Sequence, residues 1–316
     1  MIMNLLKISL TLILSILLFS CKNEIKKQSP QSMLVSVPLM ESKFNDYWYR
    51  GEAELNSYTL EQARYGEIHK GEAVLVFVTE DFSASKQVKL DNPSKSPNDA
   101  VKILKLNATR KFNTGIYPYS MMFSAFTPVE LEKYPNSLKI TSSSQEWCGH
   151  TFMQANLEKN AYKIKLNSYF ESEGDQTFKV DKVTQEDELW NLIRINPKKL
   201  PVGEITLLPG TFFTRMRHTS FSPQKALTTL SKNEEGKNTM IYEIKYSNLG
   251  RTLKIVFQKE FPFRIESWEE TNNSGWGSGV KQLVTKAVRK KTIMLDYWNK
   301  NSNNDLELRK KLELNN

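Results

Sequence analysis

From Phe44 onward, apolar and polar residues alternate with a period of two, in runs separated by Gly, Pro, Asn and Ser. Such alternation marks β-strands with one buried face. It predicts strands over 53–65, 74–82, 101–112 and 117–126, with YGEIHKGEA (65–73) turning the first into the second. Two more are expected over 137–147 and 150–159. The next run, AYKIKLNSYFES, sets Tyr162, Ile164, Leu166 and Phe170 on one face against Lys163, Lys165 and Asn167 on the other. That division is typical of an antiparallel sheet. Segment 198–221 is strand-like, as are 239–247, 251–261 and 263–271, with Glu260-Phe261-Pro262-Phe263 as a hairpin corner. VKQLVTKAV (280–288) fits either period and is read as a strand for its Val and Thr content. From Asn299 the chain is polar and either frays or forms a short helix.

One helix interrupts this pattern. TQEDELWNLIRI (184–195) places Leu189, Leu192 and Ile193 on one face, with Trp190 beside it. Thr184 is read as its N-cap, Asp187 lies near N3, and Asn196-Pro197 ends it. With no alternation of strands and helices, a parallel α/β fold is excluded. The expected fold class is mainly β with little α: a large curved antiparallel sheet with one clear helix near 184–195. It occupies 43–298 as one domain or as two lobes, 43–182 and 197–298, joined by the helix, and a polar tail fills 299–316.

The N-terminus changes the picture. Residues 1–20 carry one cation, Lys7, followed by the apolar run ISLTLILSILLFS. This is the organisation of a secretory signal. Leu18-Phe19-Ser20-Cys21 resembles a bacterial lipobox, with Phe19 where a small residue is usual. Cys21 is therefore the expected lipidation site, and the anchor is a membrane reached through its acyl chains. Residues 21–42 begin with a polar, aperiodic stretch containing Pro30 and are read as a flexible tether. Lys22, rather than Asp, follows the cysteine, which favours the outer membrane.

Charge adds a further constraint. The chain holds 44 Lys and Arg against 35 Asp and Glu, a net charge of +9. Loss of the signal removes only Lys7. A basic exported protein suits anionic lipid head groups, and nucleic acid is not an expected partner. With Cys21 committed to the anchor, Cys148 is left without an intramolecular disulfide partner.

Cys148 sits in EWCGHT (146–151), which begins like the active-site motif of disulfide isomerases but has Thr151 in place of the second cysteine. A Ser-rich strand leads in and an alternating segment leads out, so the helix of a thioredoxin fold is absent. Read as one extended strand, Glu146, Cys148 and His150 share a face. A thiolate beside an imidazole is activated, and Glu146 would orient the ring. The three are the candidate catalytic set. The alternative is a half-buried cysteine beside a packed Trp147. The three histidines, His69, His150 and His218, show no paired ligand spacing, so no metal and no cofactor are expected. RMRH (215–218), read as a strand, puts Arg215 and Arg217 on one face as candidate ligands for an anionic group, with His218 opposite. GWGSG (275–279) lacks a following GK[ST] and is read as a hairpin loop. Glu266 and Glu269 leave opposite faces of one strand and do not form a carboxylate pair.

The lipobox, FNDYWYRGEAELNSYTLEQARYGEI (44–68), LKLNATRKFNTGIYPYS (104–120), SSSQEWCGH (142–150) and FPFRIESWEET (261–271) together resemble a family of Gram-negative lipoproteins. Its members often bear the label "septum formation inhibitor Maf". True Maf proteins are cytoplasmic nucleotide pyrophosphatases with an α/β fold, whereas this chain has an export signal and a strand-dominated pattern. The resemblance brings no functional residue with it. At the level of fold, the strands with a helix before LPVGE are similar to lipoprotein carriers of the LolA and LolB type, which hold acyl chains against a concave face. The expectation is a lipid-anchored envelope lipoprotein acting as a non-enzymatic binding or scaffold module, for a lipid, another hydrophobic ligand or an envelope protein. The alternative is an envelope hydrolase or transferase using Cys148 and His150.

Overall fold

The computed structural model describes residues 37–236 and 238–314, with the side chains of 37–40 left out. The signal, Cys21 and most of the expected tether lie outside the described residues. The chain enters through a helix, α1 (Val37–Trp48), so the last residues assigned to the tether are helical. Eight strands follow: β1 (Ala53–Arg64), β2 (Glu67–Ser83), β3 (Ala100–Thr114), β4 (Tyr117–Pro128), β5 (Lys139–Glu146), β6 (Gly149–Leu157), β7 (Ala161–Ser168) and β8 (Gln176–Asp181). A two-residue strand, β9 (Thr184–Gln185), leads into α2 (Glu186–Ile195). The chain continues through β10 (Gly203–Leu208) and α3 (Thr211–Arg217) to β11 (Gln224–Lys232), β12 (Thr239–Tyr246), β13 (Arg251–Gln258), β14 (Ile265–Ser274) and β15 (Lys281–Leu295). A short helix, α4 (Glu307–Lys311), closes the described chain.

All fifteen strands form one sheet, in the order 8-7-6-5-4-3-2-1-15-14-13-12-11-10-9. The mainly β expectation holds, and the two groups of strands, 53–181 and 203–295, are continuous through the β1–β15 pairing. Every pair is antiparallel except β9 with β10. Long period-two runs joined by tight turns give this meander. Tyr65-Gly66 is one such turn, with both residues at positive φ. Strand β2 therefore starts at Glu67, and the segment read as a broad turn over 65–73 is mostly strand.

The sheet is curled around α2. That helix bonds to β3 and β4 through Asn191, whose amide donates to the Leu104 and Ala125 carbonyls. On its other flank it reaches β13 and β14, through Glu186 to Arg251 and through Trp190 to Trp268. Strands β4 and β13 stand six steps apart in the sheet, roughly 29 Å if it were flat at about 4.8 Å per step. A helix about 10–12 Å across touches both only if the sheet bends around it. The two edge strands, β8 and β9, are separated in sequence by Lys182 and Val183 alone. The curl thus brings its own edges together and leaves a seam between them.

All ten residues of α2 are buried. Its N-cap is Gln185, in a reciprocal capping box with Glu188 at N3, and not Thr184. Thr184 is drawn into the sheet opposite Leu207 instead. The tail is ordered as well: Leu312 is buried, and its carbonyl accepts from Ser57 Oγ at 2.5 Å.

Candidate functional site

The seam opens into a cavity of about 420 Å³. Its apolar wall comes from the inward faces of β6 to β8: Met153, Leu166, Phe178 and Val180. These are alternate residues, as a period-two strand requires. Facing them are α3, through Thr211, Thr214 and Arg215, and the segment 218–222 with Phe221. Serines 142, 172, 220 and 222, with Thr151 and Gln176, supply a hydroxyl- and amide-rich rim. A volume in the range of roughly 300–1,000 Å³, with apolar walls and a few convergent polar groups, is what small-molecule sites present.

Helix α3 is the element that alternation missed. Pro209-Gly210 ends β10, and the Asp187 carboxylate accepts from the Thr211 amide at 3.0 Å, capping the new helix. Phe212, Phe213 and Met216 bury its inner face. Consequently Arg215 and Arg217 do not share a strand face, as their i, i+2 spacing would require. They leave a helix in different directions. Arg215 ion-pairs with Glu173 at the cavity mouth, while Arg217 lies by Trp276 and donates to the Gly275 carbonyl at 3.2 Å.

At the mouth, three polar groups lock together. His218 takes a left-handed backbone conformation at the end of α3, φ 51°. Its Nδ1 lies 2.9 Å from Glu173 Oε1, and its Nε2 lies 2.9 Å from Arg215 Nη2. The tautomer carrying its proton on Nδ1 satisfies both contacts. Burial, and then the Arg215 charge, lower the His218 pKa despite Glu173, so the ring is neutral at pH 7. Glu173 is held below its usual range by the Ser168 hydroxyl, Arg215 and His218, against the opposing effect of burial. Phe170 covers the group: its ring centre is 4.8 Å from the Arg215 guanidinium and 4.9 Å from the His218 ring.

The EWCGHT residues lie at the same end of the sheet but not as one constellation. Trp147-Cys148 is a two-residue hairpin turn, and Glu146 pairs with Gly149. The turn resets the alternation. Ser144 and Thr151 are opposite each other and buried, while Gln145 and His150 are opposite each other and exposed. Glu146 thus faces inward, toward a crevice it shares with Arg64 and Arg215, and His150 faces outward. The Glu146 carboxylate accepts from the Cys148 amide at 2.6 Å and makes no described contact with His150. Cys148 is exposed, and Trp147 is 69% exposed rather than packed. The one-strand spacing on which the triad rested is broken by the turn.

His69 is distant in sequence from His150 and His218 and bonds to the Arg64 carbonyl. Among the described residues, no group of three or more His, Cys, Asp or Glu is placed to hold a metal. Glu173, Phe170 and Phe178 were not legible as site residues. They come from a loop and an edge strand whose partners lie some 40 residues away in α3. Compared with known protein families, curated proteins and solved structures, the chain matches none.

Proposed function

We propose that the protein is a lipid-anchored envelope lipoprotein, held through Cys21 in the outer membrane, that binds a small amphipathic ligand without transforming it. The seam cavity carries this reading. Its apolar wall accepts a short acyl or other hydrophobic portion, and its hydroxyl-rich rim and the Arg215–Glu173–His218 group accept a polar end. Burial of apolar surface along the wall supplies the affinity, about 25 cal/mol per Å². The rim orients the ligand, because each unmet polar contact in a dry site costs about 1–3 kcal/mol. The hydrolase or transferase alternative uses Cys148 and His150, and Glu146, which would orient the ring, instead accepts from the Cys148 amide. A single antiparallel sheet is likewise unlike the α/β fold of true Maf proteins.

The test is native mass spectrometry of the full chain extracted from membranes, beside Phe178→Glu. A non-covalent amphiphile should accompany the parent protein and be lost from the variant. Equal retention by both would remove the cavity from the reading. If the parent chain carries no adduct and binds no fluorescent acyl probe at micromolar concentration, ligand binding is excluded.

A further inference from the structure

The two ends of the sheet differ in kind. At one end lie the hairpin turns 65–66, 115–116, 147–148, 247–250 and 275–280, and the segment 218–223 after α3. None of these contains an Asp, Glu, Lys or Arg. Of the loops at this end, only 169–175 is charged: it holds Glu171, Glu173 and Asp175, of which Glu173 is paired with Arg215 and the other two are exposed. At the opposite end, the connections 84–99, 129–138, 158–160, 233–238 and 259–264 each carry both acids and bases. Four of these uncharged tips, 65–66, 115–116, 147–148 and 275–280, instead raise a large apolar residue into solvent. Ile116 is 85% exposed, Trp147 69% and Tyr65, Trp276 and Val280 at least a third; Tyr169, in the charged loop, is 75% exposed.

These residues form a row. Tyr65 stacks near Trp276 at 5.5 Å and bonds to the Tyr117 hydroxyl at 3.1 Å, and Tyr117 lies 6.3 Å from Trp147. The opposite end also exposes Tyr49, Val88, Val202 and Trp298, but a row of aromatic residues in mutual contact is not ordinary. Tyr and Trp, with an apolar body and a polar tip, are the side chains that favour the level of lipid head groups.

Behind the row stand two arginines with no carboxylate salt bridge among the described residues. Arg64, 6% exposed, lies over the rings of Tyr65 (4.3 Å) and Trp276 (5.0 Å) and bonds to Tyr119 and to the Met216 carbonyl. Arg217 shares the Trp276 ring at 5.9 Å, and its charge is disfavoured by burial and by Arg64. Two close cations that make no direct salt bridge, with Glu146 in the crevice beside Arg64, sit beneath an aromatic row and complement an anionic surface.

We propose that this end of the sheet inserts its tips into the head-group region of an anionic phospholipid bilayer, with Arg64 and Arg217 meeting lipid phosphates. It is a membrane contact separate from Cys21. The chain enters the fold at the other end, where α1 packs Tyr47 against Phe261. The contact does not depend on what fills the cavity.

Cys148 provides the reporter, because it is exposed on one of the tips and the chain has two cysteines. The full chain with Cys21→Ser would carry an environment-sensitive fluorophore on Cys148. A second protein, with Cys148→Ser and Ser94→Cys added, would carry it at the opposite end. Vesicles of mixed phosphatidylethanolamine and phosphatidylglycerol should blue-shift the label at 148, with quenching by brominated acyl chains, and leave the label at 94 unchanged. Trp147→Ser with Trp276→Ser should abolish the shift, and Arg217→Gln should reduce its dependence on phosphatidylglycerol. No shift at 148, equal shifts at both ends (binding through the N-terminal segment), or a shift indifferent to the loss of both tryptophans would each overturn the proposal. So would an equal response to pure phosphatidylcholine. Loss of ligand from the cavity variant would move none of these signals, so the two readings fail separately.

Discussion

Asp187 shows how one buried carboxylate sets a pH dependence. It lies at the start of α2, 4% exposed, and caps α3 through the Thr211 amide. Burial, and then the neighbouring Glu186 charge, raise its pKa from 3.8 to about 7. Between those values the folded protein holds a proton that the unfolded chain has released, so stability falls as pH rises from about 4 to about 7. At about 1.4 kcal/mol per pH unit, this group alone accounts for up to roughly 4 kcal/mol. Asp187→Asn keeps an oxygen for Thr211 and removes the charge. Urea unfolding at pH 5 and pH 8 should show the variant gaining on the parent by about 2–4 kcal/mol at the higher pH. Glu54 has the opposite sign. Despite burial, Arg194 holds its pKa at about 2, with bonds of 2.6 and 2.8 Å and further help from Tyr47 and Asn56. Its stabilisation is present above about 4.5 and is lost as pH falls toward 2. Glu54→Gln leaves the fully buried Arg194 without its charge partner and should cost about 3–5 kcal/mol, read from the urea midpoint.

Elements that run long and alternate were legible from sequence, and those set by tertiary context were not. Strands β3 and β4 lie where the alternation placed them, because a one-sided period of two has one way to bury its apolar face. Strand β7 starts where expected but ends at Ser168, which leaves Phe170 in the following loop rather than on the strand. Helix α3 was hidden, because ITLLPGTFF is mostly apolar with no helical period and its cap is a side chain from another helix. Strand β11 went unmarked, since KALTTLSK buries Ala226 and Thr228 beside outward Lys225 and Leu227 and lacks a large apolar set. In EWCGHT the spacing was right and the geometry was not, because a two-residue turn reverses the facing that a continuous strand would keep. The cavity was beyond reach: its walls come from β5 to β8 and from residues 211–222, joined only by the curl of the sheet. Glycine at position 71 is an element-scale constraint of the same hidden kind. A Cβ there would meet the Lys111 carbonyl oxygen at 2.2 Å, a side-chain atom against the backbone of the neighbouring strand across the β2–β3 ladder. Gly71→Ala should therefore destabilise the protein by more than the few tenths of a kcal/mol typical of surface changes, with faster amide exchange in β2 and β3 than in β12 and β13.

At the scale of the whole molecule, α2 makes one cooperative unit of two strand groups that are distant in sequence. Its first turn is held by the second group: Arg251 grips Glu186 with both terminal nitrogens at 2.5 and 2.6 Å and reaches Glu270 through Nε at 2.7 Å. Its last turn is held by both groups: Arg194 pairs with Glu54 of the first and donates through Nε to the Pro262 carbonyl of the second at 2.9 Å. Between them, Asn191 is bonded to β3 and β4 while Trp190 packs on Trp268. Neither group can keep its concave face covered once the helix leaves, because the helix is the common cover for both. The β1–β15 pairing also runs from Ala53 to Glu61, through one register shift at Ser57/Tyr58, and joins the two groups at the centre of the sheet. Thermal unfolding should accordingly be a single transition, with equal calorimetric and van't Hoff enthalpies. Arg251→Met tests the coupling. It removes a cation from the second group only, yet leaves Glu186 and Glu270 buried without it. Amide exchange resolved by peptide should then rise in β3 and β4 together with β12 and β13. A rise confined to β12 and β13 would show that the two groups open independently and that α2 belongs to one of them alone.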